Sequence, residues 1–216
     1  GHAQAALAAY PEFGNGGEAR KVWAAWGVSE HIYSPDEKTI AFLQDVLTEV
    51  IDLFPGTFIH VGGDEAVKTE WKVSAAVQAQ MKALGLKDEA EMQSWFIRQM
   101  DTFLTSKGRR LIGWDEILEG GLAPGAAVMS WRGEDGGIAA AKAGHDVVMA
   151  PNESTYFDHY QSKATEKEPL AIGGFTSIEE VYAYEPVPAA LDAEPAKHVL
   201  GAQCQLWTEY IPGPRE

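Results

Sequence analysis

Apolar residues in this chain gather into short blocks that stop abruptly. Residues 57–61 (TFIHV) run into Gly62, and 110–114 (RLIGW) and 126–131 (AAVMSW) each end on a tryptophan. Residues 145–150 (HDVVMA) stop at Pro151, and 199–207 (VLGAQCQLW) end on Trp207. Blocks this short and this apolar, bounded by Gly, Pro or acids, predict strands buried on both faces, as in a parallel sheet. Between them the period changes. In residues 34–54 the apolar positions Ile40, Leu43, Leu47, Val50 and Phe54 follow helical spacing. Ser34, Pro35 and Glu37 predict a capped start with proline in the first turn. Residues 66–84 and 88–107 predict two more helices, the second closed by Gly108, and 134–143 a short one closed by Gly144.

Strands alternating with helices define an α/β protein with parallel strands. An open doubly wound sheet and a (β/α)8 TIM barrel both fit that pattern. Chemically interesting residues stand at the C-terminal ends of many different strands. A barrel gathers those ends around one site, so the barrel is the favoured architecture. Only five strands can be counted, residues 1–33 hold no convincing strand, and a complete barrel takes about 250 residues. The expectation is therefore a truncated barrel, with about its last five strands spread over one partial domain at 1–216.

The feature that asks for chemistry is "HVGGDE" at 60–65. A buried-looking strand delivers Asp64 and Glu65 side by side, immediately after two glycines that permit a sharp turn and close backbone approach. Adjacent acids are common on solvated surfaces. At a strand end, in an apolar and aromatic-lined pocket, two carboxylates repel each other and resist ionisation. One can then serve as a general acid while the other stabilises positive charge, as acetal cleavage requires. Trp114, Trp131 and Trp207, each read as the last residue of its strand, could wall a sugar-sized pocket, although a single such tryptophan is more often a core plug. Tyr156 and Asp158 follow the fourth strand, and Glu209 follows Trp207. The tyrosine offers a hydroxyl donor, and the acids offer acceptors for ligand N–H or hydroxyl groups.

Composition narrows the classes. The net charge of −15 argues against a nucleic-acid partner. No run approaches the roughly 18 apolar residues of a membrane span. Cys204 is the one cysteine, which excludes an internal disulfide and a thiolate zinc site. His2, His60, Glu65 and Asp115 are conceivable metal ligands, but no pair has His-x-x-x-His spacing, so neither metal nor organic cofactor is expected. Dinucleotide, Walker and Gly-x-Ser-x-Gly signatures are absent. The compartment stays open between secreted, periplasmic and cytoplasmic, and nothing in the pattern speaks to oligomeric state.

"HVGGDE" resembles the His-x-Gly-Gly-Asp-Glu signature of family 20 glycoside hydrolases, the β-N-acetylhexosaminidases. "GHAQAALAAYPE", "VWAAWGVSEHIYSP", "GWDEIL", "MSWRG", "YFDHYQ" and "QLWTEYIPGPRE" resemble further family segments in the same order. The resemblance implies a retaining glycosidase that removes terminal β-linked GlcNAc or GalNAc from oligosaccharides or glycoconjugates, chitin fragments included. The substrate's own 2-acetamido oxygen is the nucleophile and an oxazolinium ion the intermediate. It implies Glu65 as general acid and base, Asp64 as the group that orients the acetamide, and Tyr156 as a donor to the acetamido oxygen. Trp114, Trp131 and Trp207 would enclose the sugar, Asp158 and Glu209 hold its hydroxyls, and His2 tune the acid. The family's first barrel strand carries an arginine for the 3- and 4-hydroxyls that nothing here matches, and family members continue past "GPRE". These departures raise the expectation of a fragment with poor activity and exposed edges when isolated. The alternative is a non-catalytic N-acetylhexosamine-binding remnant.

Overall fold

The computed structural model describes residues 2–25, 27–211 and 213, so the closing residues 214–216 of the "GPRE" stretch lie outside it. The chain forms two compact units, Gly1–Ala126 and Ala127–Glu216.

In the first unit a short helix α1 (Gln4–Ala9) is followed by a 3-10 turn at Pro11–Phe13 and then, among the described residues, by irregular chain up to α2 (Glu37–Leu53). Among described residues 2–33 there is no strand. Helix α2 starts later than Ser34-Pro35 suggest. Asp36 is the cap, its carboxylate accepting the Thr39 N–H at 2.8 Å, while Pro35 is fully buried ahead of it. Strand β1 (Phe58–His60) pairs in parallel with β2 (Arg110–Trp114), with Phe58 opposite Arg110 and His60 opposite Ile112.

The β1-to-β2 crossover is helical, as a parallel pair requires. It does not contain the single helix expected over 66–84. Ser74 is extended (φ −77°, ψ 111°) and divides that stretch into α3 (Thr69–Val73) and α4 (Ala75–Leu84), capping the second through the Val77 N–H. Helix α5 (Glu89–Ser106) follows Asp88, which accepts the Glu91 N–H at 2.9 Å. Ile32, Trp71, Val77, Met81 and Met92 form one buried cluster. The Trp71 indole N–H donates to the Tyr33 carbonyl, so the irregular segment before α2 is anchored to α3.

In the second unit β3 (Ala127–Ser130), β4 (Val147–Met149) and β5 (Val199–Ala202) form a parallel ladder with β4 in the middle. Helix α6 (Asp135–Lys142) connects β3 to β4 and packs on both. It lies so close that a Cβ on Gly137 would sit 2.5 Å from the Met149 sulfur. Three short helices, α7 (Asn152–Thr155), α8 (Ile178–Ala183) and α9 (Ala193–Ala196), occupy the long β4-to-β5 connection.

The last strand is shorter than the apolar run 199–207 predicts. After Ala202 the chain leaves the ladder, and Gln205 instead bridges Tyr156: the Gln205 N–H donates to the Thr155 carbonyl and the Phe157 N–H to the Gln205 carbonyl. The strands are the parallel α/β repeat of a (β/α)8 barrel, of which five lie among the described residues. No helix among the described residues is long and apolar enough to cross a membrane.

Candidate active site

In the first unit the site is built on the turn after β1. Gly62 and Gly63 have φ of 74° and 103°, which a side chain rarely tolerates. Space demands glycine as well: a Cβ on Gly63 would lie 2.6 Å from Ile117, and one on Gly113 in β2 would lie 2.8 Å from the Gly62 carbonyl oxygen. The turn is therefore pressed onto β2 and the 3-10 turn Asp115–Leu118 that follows it. Its carbonyls are both used, Gly62 accepting the Trp114 N–H at 2.9 Å and Gly63 the Gln93 side-chain N–H at 2.7 Å. Gln93 is buried in α5. Nothing in the sequence marks it, because a glutamine in a helix is ordinarily a surface residue.

Glu65 then adopts φ 48°, the one described non-glycine residue in the left-handed region. That conformation costs about 1–2 kcal/mol for a residue with a Cβ. Strain of this kind persists where the surroundings over-determine it, and it marks functional positions. The Asp64 and Glu65 side chains are 17% and 34% exposed, and His2 reaches both. Its Nε2 lies 2.9 Å from Asp64 Oδ2 and 3.2 Å from Glu65 Oε2. An ionised Asp64 carboxylate only accepts, so this nitrogen carries a proton and donates to the pair. One donor atom from each of His2, Asp64 and Glu65 lies within 4.8 Å of the other two, a spacing that a cation could share. Trp114 is the last residue of β2 and only 9% exposed.

The second unit supplies an aromatic group. Tyr156, 9% exposed, stacks on Trp131 with ring centroids 6.4 Å apart at 19°. It meets Trp207 edge-on at 6.5 Å and 61°, and His159 at 5.6 Å. The sequence reading of the three tryptophans needs correcting here. Trp131 stands one residue past β3, and Trp207 five residues past β5, on the segment diverted to pair with Tyr156. Trp207 remains 42% exposed, as a ligand-facing aromatic does and a core plug does not.

Asp158, Trp207 and the exposed Glu209 line a cavity of about 760 Å³, together with Phe157, Leu206 and Tyr210. Burial pushes the Asp158 carboxyl above its usual range, and the Glu209 charge adds to the rise; backbone N–H groups and His159 oppose it. Asp158 Oδ1 is buried without a hydrogen-bond partner. A desolvated acceptor on a cavity wall is poised for a hydroxyl or N–H donor from a ligand. A separate cavity of about 610 Å³, lined by Glu134, Glu180, Tyr184 and Glu185 among others, contains none of the candidate residues.

The nine candidate residues therefore divide between the units. His2, Asp64, Glu65 and Trp114 belong to the first, and Trp131, Tyr156, Asp158, Trp207 and Glu209 to the second.

Known proteins resemble this chain along nearly all of its length. A β-hexosaminidase of Porphyromonas gingivalis is 53% identical over 213 residues, which cover 98% of this chain and 27% of that protein. A β-hexosaminidase of Vibrio furnissii is 34% identical over 215 residues, covering 98% and 35%. Among solved structures, a Flavobacterium johnsoniae chitobiase superposes with a TM-score of 0.79 at 30% identity, covering 97% of this chain and 31% of its own. The chain thus spans about a quarter to a third of the length of these relatives. Residues 1–216 match the family model "Glycosyl hydrolase family 20, catalytic domain", and the chain belongs to that family.

Proposed function

We propose that these residues carry the chemistry of a retaining β-N-acetylhexosaminidase that releases terminal β-linked GlcNAc or GalNAc from oligosaccharides or glycoconjugates by substrate-assisted catalysis. The observation that carries this reading is the Asp64–Glu65 pair, two consecutive carboxylates on one strained turn sharing the His2 Nε2–H. A glycosidase with its own nucleophile needs its two carboxyls on opposite sides of the scissile bond. Neighbouring acids on one turn instead suit an acid that protonates the leaving oxygen beside a carboxylate that steers the acetamide. The family membership and the β-hexosaminidase relatives support the same assignment.

In the first step Glu65 gives its proton to the glycosidic oxygen, the C1–O bond breaks, and the acetamido oxygen bonds to C1 from the opposite face. Asp64 accepts the acetamido N–H and balances the positive charge that spreads over the new ring. Tyr156 donates its hydroxyl to the acetamido oxygen, fixing its approach. In the second step Glu65 takes a proton from water, the water oxygen bonds to C1, and the C1–O bond to the acetamide breaks. Two inversions give net retention. Trp114, Trp131 and Trp207 present flat apolar faces to the sugar and its N-acetyl methyl, and Asp158 and Glu209 accept its hydroxyl protons. The protein bearing these residues should hydrolyse an aryl N-acetyl-β-glucosaminide and be inhibited competitively by a thiazoline mimic of the intermediate. Equal turnover of the matching 2-hydroxy glucoside would defeat this reading, because that substrate has no internal nucleophile.

Asp158 gives a prediction of mixed sign. Its carboxyl is raised by burial, so the folded state holds its proton more tightly than the unfolded state, and ionisation costs stability as pH rises through the raised value. Asp158→Asn should therefore match or exceed the parent's thermal midpoint at pH 7, an advantage that closes as pH falls towards the ordinary aspartate range. The variant should also raise KM by about 10-fold or more, the worth of a hydrogen bond to a charged acceptor. Melts at several pH values and initial rates check both halves.

A further inference from the structure

We propose that His60 is a positioning residue for the catalytic turn, acting through the Gly62 amide. The proposal rests on the reading of Asp64 and Glu65 given above. His60 Nδ1 lies 3.1 Å from the Gly62 nitrogen and accepts its N–H. With the Gly62 carbonyl taken by the Trp114 N–H and the Gly63 carbonyl by Gln93, three backbone groups of the Gly-Gly turn are tied to named partners. Two of these ties are made by side chains, and His60 holds the only one that fixes a backbone N–H. The His60 ring also meets Trp114 edge-on, with centroids 4.8 Å apart at 62°. One side chain thus sets the entry into the turn that presents both carboxylates and braces the tryptophan beside it.

The bond defines the state of the ring. Nδ1 must be unprotonated to accept, so the proton sits on Nε2 and the imidazole is neutral. The residue keeps contact with solvent, but desolvation by the protein around the ring lowers its pKa and favours that neutral form, while the Asp64 charge works against it. Gly62, at φ 74°, has no Cβ to restrict it, so without the acceptor its amide can rotate and carry Asp64 and Glu65 with it. Displacement of a catalytic group by about 1 Å is enough to cost about 100-fold in rate.

The test separates the hydrogen bond from the packing on Trp114. An asparagine places Oδ1 at the same distance along the side chain as histidine Nδ1 and restores an acceptor, but it cannot reproduce the ring contact. In the protein bearing these residues, His60→Ala should lower kcat by about 10- to 100-fold with KM changed less than about 3-fold. His60→Asn should recover most of that loss, and His60→Gln, whose acceptor is one bond further out, should not. Amide hydrogen exchange should show Gly62 protected in the parent and His60→Asn and exposed in the other two. Parental kcat in His60→Ala, or equal activity of the Asn and Gln variants, would overturn the proposal. If His60→Ala does not fold, the Asn–Gln comparison decides alone. Glu65→Gln run in parallel keeps the readings apart: if it stays fully active the catalytic assignment is wrong, and the Gly62 exchange data still judge His60.

Discussion

Glu65→Gln is expected to lower kcat on a natural, poorly leaving aglycone by about 10²- to 10⁴-fold, the usual worth of a positioned general acid. Glutamine keeps the shape of the side chain and can still accept from His2 Nε2, which lies 3.2 Å from Glu65 Oε2 in the parent. The turn should therefore survive, and the thermal midpoint should stay near the parent's. What is lost is the transferable proton. The deficit should consequently depend on the leaving group. With a strongly acidic phenol as aglycone, the C1–O bond breaks without protonation and the first step recovers. The second step still lacks a base for water, so part of the loss remains. The variant's rates should thus fall more steeply than the parent's as the phenol becomes less acidic. A uniform loss across a series of aryl substrates would count against Glu65 as the acid and point to a general disturbance of the site.

Much of this fold can be read in the chain because parallel strands are written as apolar blocks; β2 and β3 are buried as expected, whereas Phe58 and His60 in β1 and Leu200 and Ala202 in β5 are exposed. All five observed strands lie within the five predicted stretches. The errors fall where two readings are locally equivalent. Ser34 and Asp36 are both good caps, and only packing of Pro35 into the interior selects the second. Ser74 interrupts a stretch whose composition is helical on both sides, because its hydroxyl serves the Val77 N–H better as a cap than within a helix. Gln203 and Gln205 sit inside an otherwise apolar run. The Gln203 amide still donates to Met149 of β4, but the Gln205 amide donates to Thr155 beyond that strand, so the regular ladder ends before Trp207.

The candidate site is legible as residue types, not as geometry. The Gly-Gly-Asp-Glu turn announces itself, since glycines at φ 74° and 103° have no substitutes there. Contact between His2 and residues 62 and 63 positions away leaves no trace in periodicity, and the expectation of a histidine near the acid came from the family resemblance. Gln93 and the acceptor role of His60 are invisible in the same way, because both depend on which backbone groups remain unpaired once the turn has formed.

Asp64→Asn should separate charge from orientation. The amide oxygen of asparagine can still accept the acetamido N–H and the His2 Nε2–H that Asp64 Oδ2 holds at 2.9 Å. Substrate placement, and with it KM, should therefore change little. The missing element is the negative charge facing the oxazolinium. Two unit charges about 4 Å apart interact by about 4 kcal/mol at the effective dielectric of a partly exposed site, and solvent reaches part of this one. A fall in kcat of about 10²- to 10³-fold is the corresponding expectation. Binding supplies an independent measure of the same term. A protonated thiazoline carries the intermediate's positive charge, whereas the product N-acetylhexosamine is neutral. The variant should weaken thiazoline binding by a factor similar to the loss in kcat and leave product binding nearly unchanged. Asp64→Ala, which removes the acceptor too, should weaken both. Unchanged thiazoline affinity in Asp64→Asn would mean that the carboxylate serves only to orient the acetamide, and that the positive charge is balanced elsewhere.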